Sequence, residues 1–453
     1  MSLRTEVMSR ARLVGAVLLA AAVVAGGLVL ERGLGPRELS AGGVPPELSG
    51  AWFCPHAGDE GWRSWIVVAN PTDETADLHL VSHGGGRPVR VPLSLGPRTQ
   101  RYVEVSSDEA AASTTVEYFG GPVVAGMVVV RDREGGRAAE PCLAEAGTRW
   151  YLPEGTTLRG FDQRVVVMNP FAQEAVVSLW LTDERETLKP GELAGLVLPA
   201  RRARAFDLGE FALGKETLAV TVDVGLGKVA VAGLGISSGG LRAAAGVPGP
   251  AAAWVLPGAA DTGPSALTLL APAARPVPYR VRRQGAGEQA EVVSEASVEA
   301  GKAETIEVDA VDSGLVVTAD GREPIVAGRR LEGTGDLASV SGAAEGARTW
   351  VALPASGPEG GEATLLVENP SDEVARVRIS LLTGTGAAEA PGVSTLSLPP
   401  GTQRTVDLAS LLGEEPVSAL VVAETGSVVV GQAAEGPDGY AVALGVRLEH
   451  LPG

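Results

Sequence analysis

The sequence predicts an all-β protein, a tandem array of four immunoglobulin-like β-sandwich domains behind one N-terminal transmembrane helix. Three observations predict this. A pattern of about 100 residues occurs four times after residue 50, and a fixed period of that kind indicates repeated structural units. Within each copy, short apolar runs alternate with turn residues, and no helical periodicity competes with them. One uncharged apolar stretch, at residues 13–30, precedes the repeats.

The apolar stretch predicts a signal-anchor. Its 18 residues approach the ~20 that a helix needs to cross a bilayer. Arg4, Arg10 and Arg12 precede it, so the positive-inside rule keeps the N-terminus cytoplasmic and places the rest outside the membrane. A cleaved signal peptide, with a cleavage site near Ala25, is the alternative. Either way the bulk of the chain is exported, and we expect a single-pass protein of the cell membrane.

Landmark residues define the repeats. Each repeat opens on a tryptophan, and an apolar run later ends on Asn-Pro in three of the four repeats, while the third has Ala271-Pro272 instead. Proline cannot donate to a sheet ladder and the asparagine side chain can cap a turn, so we interpret the pair as a folding device. We interpret the tryptophans as core or inter-domain residues rather than sugar platforms. These structural landmarks are Trp52, Trp150, Trp254, Trp350, Asn70, Asn169 and Asn369.

The second repeat shows the strand pattern most clearly. It has about seven apolar runs, and that number in about 100 residues is typical of an immunoglobulin-like sandwich. The third repeat has a proline-rich segment and few bulky residues, so we expect it to be shortened or loosely packed. Residues 239–250 and 341–346 are rich in Gly, Ala and Pro and predict short linkers. The expected strands of the second repeat are 150–153, 164–168, 175–181, 193–198, 203–208, 217–224 and 229–236.

These features give the predicted domain boundaries. They are a cytoplasmic N-terminus at 1–12, the anchor helix at 13–30, a linker at 31–49, a disulfide-closed first repeat at 50–146, a second repeat at 147–250, a degenerate third repeat at 251–347 and a fourth repeat at 348–453.

The two cysteines and the net charge restrict the compartment and the partners. Cys54 and Cys142 frame the first repeat, and in an exported protein this favours a disulfide over two separate buried thiols. The formal net charge is −18. So acidic a surface repels phosphate backbones, which excludes nucleic acid as a partner; solubility is the simplest reason for the charge.

The densest aromatic segment lies in the first repeat. Trp62 and Trp65 stand close to Phe53 and His56. If exposed, these side chains would form a surface for a sugar or a protein partner. The alternative is that they pack in the core beneath the disulfide, because tryptophan is mostly buried.

Two weaker patterns suggest chemistry. Ser237 lies in a G-x-S-x-G sequence and His83 begins His-Gly-Gly-Gly, but a serine hydrolase needs a strand-to-helix elbow and a later histidine, and only His450 follows. Asp77, His79 and His83 would share one face of a strand and could hold a metal, although such spacing is unspecific. We therefore expect no catalytic residues, no metal and no cofactor.

The anchor, the Trp52-Phe-Cys-Pro opening with its matching Cys142, and the repeated Trp…Asn-Pro units together resemble an uncharacterised actinobacterial family of membrane-anchored envelope proteins. The resemblance covers the whole chain and implies an extracytoplasmic β-rich protein, often encoded near envelope glycosyltransferases. It implies no catalytic residues.

The sequence therefore favours a non-enzymatic structural or interaction protein of the bacterial cell envelope, with an envelope protein or a cell-wall glycan as partner. A glycan-binding accessory protein for envelope polysaccharide assembly is the first alternative. An exported serine hydrolase is the second.

Overall fold

The computed structural model describes residues 49–83, 88–131, 135–238, 240–258, 265–285, 290–309, 313–332 and 336–448. These residues form strands almost throughout, with one α-helical turn at Ala409–Leu412 and 3-10 turns at Gly191–Leu193 and Leu208–Glu210. The predicted anchor at 13–30 lies outside the described residues. Within the described residues, no helix has the length and apolar character needed to cross a bilayer.

The first repeat contributes eight strands to two antiparallel sheets. The strands are β1 (Ser49–Cys54), β2 (Trp62–Ala69), β3 (Ala76–His83), β4 (Val89–Leu95), β5 (Gln100–Glu104), β6 (Ser113–Phe119), β7 (Val124–Arg131) and β8 (Arg137–Pro141). One sheet has the order β1-β6-β3-β4 and the other β5-β2-β7-β8.

The second repeat follows the same plan. Its strands are β9 (Arg149–Leu152), β10 (Phe161–Asn169), β11 (Ala175–Thr182), β12 (Thr187–Leu188), β13 (Leu196–Leu198), β14 (Arg202–Asp207), β15 (Ala219–Leu226), β16 (Ala230–Ser237) and β17 (Gly240–Ala245). The sheets are β12-β11-β15-β9, with β13 beside β11, and β14-β10-β16-β17.

The third repeat also has two four-stranded sheets, β18-β23-β20-β21 and β22-β19-β24-β25. Its strands are β18 (Ala253–Leu256), β19 (Ser265–Leu270), β20 (Val277–Gln284), β21 (Glu291–Val298), β22 (Ala303–Val308), β23 (Gly314–Ala319), β24 (Val326–Glu332) and β25 (Leu337–Ser341). The expectation of a shortened repeat is therefore wrong. Its core is well filled, with Trp254, Tyr279 and Leu267 among its buried residues.

The fourth repeat has the sheets β29-β28-β32-β26-β35, with β30 beside β28, and β31-β27-β33-β34. The strands are β26 (Thr349–Ala352), β27 (Glu362–Asn369), β28 (Ala375–Leu382), β29 (Ala387–Ala388), β30 (Thr395–Leu398), β31 (Thr402–Asp407), β32 (Ser418–Thr425), β33 (Val429–Gly436), β34 (Gly439–Leu444) and β35 (Val446–Arg447).

The landmark side chains hold each repeat together. The indole nitrogens of Trp52, Trp150, Trp254 and Trp350 each donate to a backbone carbonyl at 2.7 Å, on Val123, Val229, Ile325 and Val428 respectively. All four rings are buried. Each landmark asparagine is buried too, and its amide donates to carbonyls on both sides of a turn, as from Asn169 to Gln173 at 2.8 Å and to Pro199 at 3.1 Å.

The predicted linker at 239–250 is wrong, because it contains the strand β17. All six residues of β17 are buried, and the corresponding strands are β8, β25 and β34. The four contact one another in cyclic order: β8 with β17, β17 with β25, β25 with β34, and β34 with β8. The Gly- and Ala-rich sequence lets these inner strands approach closely, so the four repeats surround a common axis and the chain closes on itself. Radial repetition of this kind protects sheet edges.

The same backbone hydrogen bond recurs around this ring. The amide of Ala303 donates to the carbonyl of Asp183 at 3.0 Å, and Gln403 donates to Gly285 at 3.2 Å. The ring is closed by Gln100 of the first repeat, which donates to Thr383 of the fourth at 2.9 Å. Each of these bonds joins one repeat to the preceding one, and the last joins the first repeat to the fourth.

One carboxylate lies where all four inner strands begin. Asp336 accepts four backbone N–H groups, from Arg137 at 3.1 Å, Leu241 at 3.1 Å, Leu337 at 2.7 Å and Tyr440 at 2.9 Å. Each donor belongs to a different repeat. We call Asp336 and these four amides the axial hub. Burial raises the pKa of Asp336 to about 6, while the four amides oppose that shift.

The other three repeats have glycine where the third has Asp336. They are Gly136, Gly240 and Gly439, each one residue before its donor. A Cβ on Gly240 would lie 1.7 Å from one oxygen of Asp336, and a Cβ on Gly439 would lie 2.0 Å from the other. The axis therefore has room for one side chain. Because Asp336 occupies it, the other repeats need glycine at this position.

Candidate functional site

The cysteine pair is confirmed as a disulfide between Cys54 and Cys142. It joins the end of β1 to the residue after β8. The inner strand of the first repeat is thus covalently tied to the strand that carries Trp52.

The aromatic segment of the first repeat does not form an exposed surface. Phe53, His56 and Trp65 are buried, so the candidate ligand surface is wrong for these three residues and the alternative, packing in the core, is the one observed. A Cβ built on Gly357 of the fourth repeat would lie 3.6 Å from the Trp65 ring, so the ring is part of the contact between repeats. Trp62 is half-buried, and the guanidinium of Arg164 lies 5.6 Å from its ring centroid.

The histidines of the first repeat have separate structural partners. His56 contacts the Ala57 carbonyl at 2.8 Å and the Thr114 hydroxyl at 3.1 Å, and burial lowers its pKa to about 4. His83 contacts the Thr115 hydroxyl at 2.9 Å. Among the residues that the structure describes, no group of three or more His, Cys, Asp or Glu side chains is placed to hold a metal.

Ser237 ends strand β16 and leads into the hairpin to β17. Its hydroxyl contacts the Gly240 carbonyl at 3.4 Å, and its own carbonyl accepts from Arg131 at 2.7 Å. This is a β-hairpin rather than the strand-to-helix elbow that a serine nucleophile needs. His450 lies outside the described residues.

Buried charges are used at the contacts between repeats. Glu154 of the second repeat pairs with Arg242 of the same repeat at 3.1 Å and with Arg330 of the third at 3.2 Å, and it accepts from Ser339 at 2.7 Å. Burial alone would raise the pKa of Glu154, but these three partners outweigh it and lower that pKa. A charge buried with this many partners fixes the arrangement of the two repeats.

A buried carboxyl group, that of Glu368, lies between the third and fourth repeats. Glu368 is fully buried, and burial raises its pKa to about 8 although Arg329 lowers it. The carboxyl therefore holds its proton at neutral pH. Gly314 leaves the room for it, since a Cβ there would lie 2.4 Å from a Glu368 oxygen.

An open cleft of about 240 Å³ lies between the second and third repeats. Trp180 and Tyr151 line its wall on the second repeat, and both pair in register with Thr221 between them. The third repeat supplies the opposite wall through Leu270, Pro272 and Gly301. The remaining lining residues are Arg149, Thr182, Thr187 and Lys189.

Two cations reach this cleft. The Lys189 ammonium lies 4.1 Å from the centroid of the Trp180 ring, a cation–π contact at the rim. Arg149 pairs with Asp223 at 2.6 Å. The Thr187 hydroxyl donates to the Gly301 carbonyl at 3.1 Å and thereby ties the two walls together.

In the sequence, Trp180 was identified only as part of the expected strand 175–181. One feature of the sequence indicates an exposed ring. Trp180 lies at an outward position of an alternating run, and the first repeat has the smaller Val81 at the same position. The axial hub was also missed. Its signal was a glycine at one fixed position in three repeats with an aspartate in the fourth.

Comparisons with known proteins identify a family and two distant structures. A model described as a family of unknown function (DUF5719) matches residues 123–354 and 333–435. A tetra-tandem repeat in the extending region of a large adhesion protein is 13% identical over 84% of this chain and 93% of its own, with a TM-score of 0.14. The α-L-rhamnosidase of Streptomyces avermitilis, complexed with L-rhamnose, is 11% identical over 83% of this chain and 55% of its own, also with a TM-score of 0.14. No curated protein matches the chain.

Proposed function

The chain belongs to the family of unknown function DUF5719, and we propose that this member is a non-enzymatic, membrane-anchored structural or interaction protein of the bacterial cell envelope. Each repeat is proposed to be an immunoglobulin-like sandwich, and residues 13–30 are proposed to anchor the protein with its N-terminus in the cytoplasm. The protein would present a rigid body outside the membrane to an envelope protein.

The observation that carries this proposal is the disulfide between Cys54 and Cys142 within a closed ring of repeats. Structural disulfides persist in oxidising compartments and are rare in the cytosol. The ring supports a binding or scaffolding role, because its buried ionisable groups contact neighbouring repeats, as Glu154 and Asp336 do. These side chains hold the body together, so they are not available as reactants.

Site-specific labelling tests the location. Leu213 is 80% exposed, so we expect an L213C variant to react with a membrane-impermeant maleimide in intact cells. An S9C variant, with its cysteine in the proposed cytoplasmic segment, is the matched control and should react only after permeabilisation. The reverse labelling pattern would overturn the proposed topology.

Crosslinking in living cells tests the role. We expect a stoichiometric envelope protein to co-purify with the tagged full-length chain. Recovery of cell-wall polysaccharide alone would instead favour the second candidate, a glycan-binding accessory protein. That candidate is favoured by one specific feature, the cleft beside Trp180, rather than by the buried segment around Trp65.

A further inference from the structure

The cleft beside Trp180 is open because of residues at which the repeats differ. At the junction of the first two repeats, Phe171 contacts Phe53 with ring centroids 6.2 Å apart. Tyr151 holds the position of Phe53, since each follows its landmark tryptophan and pairs with a threonine. Ala273 of the third repeat holds the position of Phe171, two residues after the landmark site. The ring that fills the first junction is thus missing from the second.

A second difference widens the same cleft. Arg201 and Gly301 occupy the same left-handed turn, with φ of 55° and 69°. The second repeat carries an arginine side chain there, at its junction with the first. The third repeat carries no side chain at Gly301, which lines the cleft. The third repeat thus has smaller residues, Ala273 and Gly301, where the second has Phe171 and Arg201. On the opposite wall the second repeat has the larger Trp180 where the first has Val81.

The chemistry of the lining is that of a sugar site. A half-exposed indole offers an apolar face of the size of a pyranose ring, and indole and phenol rings combine such faces with polar tips. Thr182, Thr187 and Thr221 line the cleft beside it. The Thr187 hydroxyl donates to Gly301 and bonds the Thr182 hydroxyl at 3.0 Å, so these two hydroxyls face a ligand as acceptors. Ligand sites commonly combine apolar walls with a few placed polar groups, and the volume lies just below their usual ~300–1,000 Å³. The cleft therefore suits one ring-sized unit.

The charge of the lining specifies the ligand further. The protein carries a formal net charge of −18, yet the cleft is lined by Arg149 and Lys189 and by no carboxylate. Arg149 has Asp223 as its partner, whereas Lys189 makes no ion pair within the described residues and is exposed. A ligand carboxylate would draw the ammonium away from the indole and form a charge-assisted bond. The ring face that Lys189 now covers would then be open to the ligand.

We propose that this cleft binds a carboxylate-bearing pyranose, a hexuronate unit of an acidic polysaccharide. The sugar ring packs on Trp180, its hydroxyls donate to the threonine hydroxyl oxygens, and Lys189 and Arg149 receive its carboxylate. This inference does not depend on where the protein lies in the cell. Binding to the purified protein and labelling of intact cells can therefore fail separately.

Saturation-transfer NMR on the full-length protein, in a detergent without a sugar headgroup, tests the proposal. The probe is methyl β-D-glucuronide, and methyl β-D-glucoside is the neutral match that lacks only the carboxylate. We expect the glucuronide to bind with a millimolar or lower Kd, as one small unit can, and at least tenfold more tightly than the glucoside. Raising the salt concentration should weaken glucuronide binding, because charge attraction is screened.

Three variants locate the site. W180A should weaken glucuronide binding at least tenfold, and K189A should remove the preference over the glucoside. A273F installs the ring that closes the first junction and should block binding while leaving every lining side chain in place. S380A is the control. Ser380 holds in the fourth repeat the strand position that Trp180 holds in the second, and this variant should bind as the unaltered protein does.

Absence of glucuronide binding, equal binding of the two sugars, or full binding by A273F would each overturn the proposal. Thermal unfolding of each variant is measured in parallel. A variant that has lost its cooperative transition is set aside, and A273F and K189A then decide the outcome.

Discussion

Moving the axial carboxylate from one repeat to another is the sharpest test of the ring. Removing it in a D336G variant leaves four buried amides without their acceptor. Hydrogen bonds to a charged group are worth about 1.5–3 kcal/mol each, so four supply roughly 6–12 kcal/mol. Desolvation of the buried carboxylate costs several kcal/mol and offsets part of this gain. The same desolvation raises the pKa of Asp336. We expect D336G to lower the free energy of unfolding by about 3–6 kcal/mol.

The rescue variant is D336G combined with G240D. Gly240 is not in the left-handed region, and its missing Cβ points at the present carboxylate. An aspartate there should reach the same four amides from the second repeat and recover at least half of the lost stability. G240D alone is the matched control and should be strongly destabilised, because two side chains then compete for one site.

Urea unfolding of the full chain at pH 7 measures these differences. Hydrogen exchange of peptides containing Arg137, Leu241, Leu337 and Tyr440 reports the hub directly. All four amides should lose protection in D336G and regain it in the double variant. An unchanged urea midpoint for D336G, or a double variant no more stable than D336G, would refute the reasoning.

Three further outcomes follow from buried groups and the disulfide. E154Q should lower the free energy of unfolding by about 3–5 kcal/mol, because it leaves a buried arginine uncompensated; E345Q, in an exposed pair, should cost less than about 1 kcal/mol by the same urea titration. The pKa of Glu368 is raised to about 8 in the folded protein, so its contribution to stability is complete below its ordinary pKa and is lost as the pH rises through 8. Thermal unfolding between pH 5 and 9 should show this fall, and E368Q should flatten it; an equal slope in both proteins would contradict the assignment. Replacing Cys54 and Cys142 with serine should cost about 4 kcal/mol, as expected for a loop of 88 residues, and dithiothreitol should then have no further effect on the urea midpoint.

The sequence predicted the features that depend on local chemistry. The all-β fold followed from short apolar runs, and the disulfide followed from two cysteines that frame one repeat. The turn at Asn169 also follows from local chemistry, because the side chain bonds its own loop. Each of these depends on residues that are close in the chain or share a repeat.

The sequence did not predict features that depend on contact between repeats. Residues 240–245 fall within the linker predicted at 239–250, because glycine and alanine have low strand propensity. They form a strand whose residues are all buried at the axis. Trp65 was a candidate for either a surface or the core, because its own repeat does not show that it lies beside Gly357 of the fourth repeat. Asp336 was not singled out, because its four donors lie in four different repeats.

The axial hub also sets the order in which the chain can finish folding. Its last donor in chain order is Tyr440, so the axis is incomplete until all four repeats have been made. The inner strand β8 ends at Pro141. At a synthesis rate of ~5–20 residues per second, β34 is complete roughly 15–60 s after β8. During that time the side of β8 that packs against β34 is uncovered, and an uncovered edge strand can pair with wrong partners. A chain that ends before residue 439 would lack both β34 and the Tyr440 donor, so closure of the ring requires the last inner strand.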